Sequence, residues 1–147
     1  MKILWLIIAL GCGALLPVQA GLNSRLGKSL DSPLFASMFT FVVGAVSLAV
    51  CLPFARESFT WKAARAASVS EWIGGGLTGA IFITLTMLAL SRLGMALTFG
   101  LVVAGQMVVA VLLDHFGVLI ELAHPFNGWR FLGIVLIISG VVLVRRF

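Results

Sequence analysis

Gln19 and Asn23 are amides in a stretch otherwise fit only for lipid, Pro17-Val-Gln-Ala-Gly-Leu-Asn23. Four residues of helix turn through about 400°, so the two amides project from one face, roughly 6 Å apart along the axis. A third amide, Gln106, sits in a later apolar run. An amide donates and accepts hydrogen bonds but carries no charge, so the chemistry it offers is recognition of a polar molecule and not proton transfer. Inside a bilayer such groups are costly unless paired, and they face the bundle interior or a water-filled cavity. Gln19 and Gln106 suit a substrate contact or an interhelical clamp alike. Asn23, nearer the helix end, reads first as an interfacial residue and second as a substrate contact. Pro17 is the hinge candidate, because it removes one backbone donor and frees a carbonyl one turn back.

Ser37, Thr40, Gly44, Ser47 and Cys51, spaced alternately three and four, form a stripe of small and weakly polar groups on a second apolar run. Ser37, Thr40 and Ser47 are candidate substrate contacts, although packing is the ordinary role of such a stripe. Without a hydrophobic drive between helices in lipid, small residues are what let them approach. The same reading makes Gly75 with Gly79, and Gly133 with Gly140, candidate dimer-packing faces.

Asp114 ends the fourth apolar run, where a helix dipole disfavours a negative side chain, and His115 follows it. The pair is a candidate for proton coupling or for a gate closed against a basic group; the plain alternative is a solvated interfacial acid. Asp114, His115, Glu121 and His124 have no zinc-like spacing, so no metal site is expected. Arg25 reads as a headgroup anchor that could also draw in an anion. No glycine-rich phosphate loop, His-Glu-x-x-His motif or Gly-x-Ser-x-Gly elbow occurs. We therefore expect no catalytic residues, no cofactor and no enzyme.

What must position these residues is a membrane fold. Of the 147 residues 61% are hydrophobic and only 10% charged, against about a quarter charged in globular proteins. The net charge of +5 comes from bases flanking apolar runs singly or in pairs, as headgroup anchors do, which argues against nucleic acid as a partner. Cys12 and Cys51 lie deep in apolar runs, so a structural disulfide is not expected. The first run could be mistaken for a signal peptide ending at Val18-Gln19-Ala20. It continues far enough to span a bilayer and more spans follow, so we expect it to be retained.

Charge-free intervals predict an all-α polytopic membrane protein, a single transmembrane domain over 1–147 with helices at about 3–24, 32–55, 72–91, 93–113 and 129–145. The break between the third and fourth rests on Arg92 and Gly94. The connection 56–70, with Phe59, Trp61, Lys62 and Arg65, reads as an interfacial segment. Residues 27–31 read as a turn, and 114–127 as either a helical extension or a re-entrant loop.

With five spans, Lys2, Arg56, Lys62, Arg65 and Arg130 fall on the side of the N-terminus, and Arg25, Lys28, Arg92, Arg145 and Arg146 on the other. The bias that normally fixes topology is absent. Chance explains such a tie, and so does dual topology, in which copies of opposite orientation pair. Trp5, Trp61, Trp72 and Trp129 all sit on the N-terminal side, and an antiparallel pair would supply aromatic belts to both leaflets.

Taken in order, Gly13-Ala-Leu-Leu-Pro-Val-Gln-Ala-Gly-Leu-Asn23, Ser32-Pro33, Phe41-Val-Val-Gly44, Gly105-Gln106, Asp114-His-Phe-Gly117, and Arg130-Phe-Leu-Gly133 through Ser139-Gly140 resemble the YdcZ family of inner-membrane exporters, within the drug/metabolite transporter superfamily. The likeness covers essentially the whole chain and lies in the joint order of the motifs. It implies a multi-pass protein of the bacterial inner membrane, half of an inverted-repeat fold, completed by antiparallel dimerisation. The spacing of Gly133 and Gly140 also resembles the glycine heptad by which small multidrug resistance transporters dimerise. Those proteins place a proton-binding glutamate in their first helix; here the comparable depth holds Leu16, Pro17 and Gln19.

The expectation is a small secondary transporter that exports small molecules by alternating access as an antiparallel homodimer in the lipid bilayer. The alternatives are a dual-topology ion channel and a non-transporting membrane subunit.

Overall fold

A computed structural model of the chain describes residues 2–55, 58–117, 119 and 126–147. Six helices follow one another: α1 Lys2–Ser29, α2 Pro33–Ala55, α3 Trp61–Ala66, α4 Val69–Leu93, α5 Met95–Phe116 and α6 Gly128–Arg146. All but α3 are long and apolar enough to cross a membrane, which gives the five expected spans. No strand occurs among the described residues. Arg56, Glu121, His124 and most of the 118–125 connection lie outside the described residues.

The helices form two compact units, Met1–Arg92 and Leu93–Phe147. In the first, α1 packs on α2. The helix continues through Pro17 and past Arg25 and Lys28, five residues beyond the predicted end at 24. It then closes in a Schellman motif. The Ser32 N–H donates to the Gly27 carbonyl at 2.9 Å and the Asp31 N–H to the Lys28 carbonyl at 3.3 Å. Asp31 occupies the left-handed position, φ 51°, that glycine usually takes. Ser32 next caps α2, its Oγ accepting from the Phe35 N–H at 3.3 Å, with Pro33 at the first helical position. The whole α1–α2 connection is thus three residues, 30–32.

The connection between α2 and α4 holds α3, and Trp61 at its start meets Phe59 edge to face. A capping box starts α4: Glu71 accepts from the Ser68 N–H at 2.6 Å, and the Ser68 Oγ accepts from the Glu71 N–H at 3.3 Å. The Trp72 indole donates to the Ala64 carbonyl at 3.2 Å, tying α4 back to α3.

In the second unit the helical run resumes after Gly94, whose φ of 77° only glycine adopts without strain. The break is where Arg92 and Gly94 place it. α5 extends to Phe116 and is closed by Gly117 in the left-handed conformation, its N–H bonded to the Leu113 carbonyl. So the helical extension is realised for the start of 114–127. Asn127 caps α6, its side chain accepting from the Arg130 N–H at 2.9 Å. α5 and α6 pack closely where Gly100 faces Val141: a methyl group at Gly100 would lie 3.0 Å from Val141 Cγ2.

Candidate functional site

Few side chains are buried in this chain, and the polar ones among them mark where the helices meet. Asn23 on α1 and Ser37 on α2 are buried in the first unit, as is Thr86 on α4; Thr98 on α5 is buried in the second. Spacing explains the α1 pattern, because Ala20, Asn23 and Gly27 recur at three and four and so share one face.

The Thr40 hydroxyl donates across to Asn23 Oδ1 at 2.9 Å and shares its hydrogen with the Ala36 carbonyl of its own helix at 2.8 Å. The Asn23 Nδ2 group is buried with no partner among the described residues. Ser37 and Thr84 form a second hydroxyl pair at 2.7 Å between α2 and α4, and each also reaches a carbonyl one turn back in its own helix. Beside it runs an open groove of about 320 Å³ walled by Phe35, Met38, Phe41 and Ala80. This first unit therefore carries a short ladder of neutral hydrogen-bonding groups on α1, α2 and α4. It can orient a polar molecule, and none of the four side chains carries a charge.

The remaining candidates are placed differently. Gln19 and Gln106 are exposed on the surface of the chain, and neither side chain has a hydrogen-bond partner among the described residues. Pro17 is half-buried. Ser47 is exposed, its hydroxyl turned back onto the Val43 carbonyl at 2.8 Å. Gly75, Gly133 and Gly140 have open space where a Cβ would stand, whereas Gly79 lies against the Phe41 ring of its own chain, 3.1 Å from an added methyl.

Asp114 forms an ion pair with Arg130 at 3.1 Å, both side chains about a quarter exposed. Each charge sits at the end of its helix that the dipole disfavours, the acid near the C-terminus of α5 and the base in the first turn of α6. Pairing offsets both penalties. His115 Nδ1 accepts from the Phe126 N–H at 3.2 Å, and its ring meets Phe116 and Phe126 edge to face. No group of residues that could hold a metal ion occurs among the described residues.

Sequence reasoning passed over Thr84, the partner of Ser37, and left unnamed the basic group, Arg130, with which Asp114 pairs. Thr84 had only its hydroxyl as a signal. The ion pair had a better one, opposite charges each on the unfavourable end of consecutive helices.

Five long apolar helices, with Asn23, Ser37, Thr86 and Thr98 buried among them, define a polytopic α-helical membrane protein. Residues 4–143 match the family described as "Putative inner membrane exporter, YdcZ", and the chain belongs to it. It is thus a multi-pass protein of the inner membrane in a transporter class, not an enzyme class. No curated protein and no solved structure matches the chain.

Proposed function

We propose that this chain is one half of a small secondary exporter, which pairs with an inverted second copy and moves small molecules by alternating access. The supporting observation is the exposure of Gln19 and Gln106, two amides within membrane-spanning helices that lack partners among the described residues. An amide facing hydrocarbon without a hydrogen bond is penalised by several kcal/mol. Covering by a second copy removes that penalty and encloses a polar cavity near the membrane midplane, where such transporters bind substrate. Gly75, Gly133 and Gly140 leave open helix faces for the approach. The tie of five basic residues against five permits the inverted insertion that this pairing needs.

Because the amides do not titrate, they bind substrate without carrying a proton. Asp114, His115 and the Arg130 partner are the groups left for coupling or gating, at the α5–α6 end of the chain.

The test is efflux from right-side-out vesicles loaded with labelled amino acids, amines and organic acids. Saturable transport at modest rates that disappears in Gln19→Ala, with the dimer retained on cross-linking, is the expected result. Retained transport in that variant removes Gln19 from the site, and conductance at channel rates contradicts a carrier.

A further inference from the structure

At the far end of α1 and α4 the first unit forms an open cavity of about 190 Å³, with Lys28 and Asp31 exposed at it. Its floor is Gly27 and Met87, and its polar wall is Ser24, Lys28, Asp31 and Ser91. Lys28 and Asp31 face one small space, yet neither side chain is in an ion pair or a hydrogen bond among the described residues. From these facts we propose that the cavity binds a zwitterionic headgroup, a primary ammonium and a phosphate ester on a short carbon link.

The charge balance selects that chemistry. One cation and one anion make the lining neutral overall, so a simple anion gains Lys28 but meets Asp31, and a simple cation meets the reverse. A molecule carrying both signs satisfies both: its phosphate meets Lys28 and its ammonium Asp31, with the Ser24 hydroxyl for a remaining oxygen. The volume lies below the roughly 300–1,000 Å³ of sites for drug-sized ligands, which fits a headgroup.

The depth agrees. α1 has 28 residues, about 42 Å at 1.5 Å per residue, against a hydrocarbon core of about 30 Å. Its charged end therefore emerges at the level of lipid headgroups.

The backbone also fixes Asp31. The Schellman closure of α1 holds it at φ 51°, where glycine would be less strained, so the carboxylate is presented from a rigid turn. Asparagine tolerates the same conformation, so Asp31→Asn removes the charge and keeps the turn.

Such a headgroup comes from a free zwitterion or from a phosphatidylethanolamine lipid, and two arms separate the sources. The first titrates purified full-length protein with soluble phosphoethanolamine by calorimetry. The second reconstitutes it in nanodiscs of phosphatidylethanolamine and phosphatidylglycerol and identifies the retained lipid by native mass spectrometry. Binding in the first arm assigns a free zwitterion. Selective retention of phosphatidylethanolamine in the second alone assigns the lipid. In either case Lys28→Gln and Asp31→Asn each weaken binding roughly tenfold, about 1.4 kcal/mol. Equal binding of inorganic phosphate or phosphatidylglycerol, unchanged affinity in Asp31→Asn, or no binding in either arm would overturn the proposal. Transport is not part of the readout, so the result stands whatever the efflux experiments give.

Discussion

The Thr40 hydroxyl on α2 donates to the Asn23 side-chain oxygen on α1 at 2.9 Å, while the Nδ2 group of the same amide is buried with no partner among the described residues. One end of the amide is used to join two helices and the other is left with two free donors. An unsatisfied buried donor is penalised by about 1–3 kcal/mol, whereas interhelical hydrogen bonds in membranes average only about 0.6 kcal/mol. Stability alone does not account for an amide here.

Asn23→Ala should therefore leave thermal stability within about 1 kcal/mol of the parent, since the lost bond is offset by removal of the orphaned donor. If the free donors serve substrate, transport in the same variant falls at least tenfold. Thermal unfolding in detergent and vesicle efflux, measured on one preparation, check both halves. Loss of stability with unchanged transport would make Asn23 a structural clamp.

Gly100→Ala should destabilise the second unit by about 1–3 kcal/mol, because the added methyl lies 3.0 Å from Val141 Cγ2 between two helix backbones. Gly140→Leu should act elsewhere. Among the described residues nothing lies within 4 Å of a Cβ added there, so the monomer should fold as before while cross-linking to a second copy drops. A lowered melting temperature for the first variant, and an intact monomer with a lost dimer for the second, are the expected readings.

Much of this fold was legible because lipid imposes length and excludes charge. Five charge-free intervals became five long helices, and Arg92 with Gly94 marked the one break that hydropathy did not show. The end of α1 was less legible. Arg25 and Lys28 look like a boundary, yet at headgroup depth charged side chains remain on the helix, and its stop signal is an aspartate where glycine is usual. The start of α4 at Val69 had a readable capping box in Ser68 and Glu71. The site was legible only as faces. Spacing put Thr40 and Asn23 on polar stripes but not opposite each other, and it does not tell an amide turned to its own bundle, as Asn23 is, from one exposed on it, as Gln19 is.

Asp31→Gly should raise stability by up to about 1 kcal/mol, since glycine enters the left-handed region without the penalty a side chain carries. The same substitution deletes the acid facing Lys28 across the cavity, so phosphoethanolamine or its lipid should bind roughly tenfold more weakly. A thermal melt and the binding assays above give the two numbers. No gain in stability would show that the turn is strained less than its φ indicates.

Asp114→Asn should cost about 1 kcal/mol or less, the usual range for a partly exposed ion pair, measured as a drop in melting temperature. If the pair gates the carrier, the variant leaks its substrate down a gradient. A small stability change with unaltered, tightly coupled transport would leave the pair as a brace between α5 and α6.

The pairing of two inverted copies is tested most directly by the sidedness of the C-terminus. With Cys12 and Cys51 replaced by alanine, Phe147→Cys provides one exposed thiol beyond α6 for a membrane-impermeant maleimide. Labelling of about half the chains in right-side-out vesicles, and of the other half in inverted ones, is the result expected from a tie in flanking charge. Complete labelling in one preparation and none in the other would contradict an antiparallel homodimer.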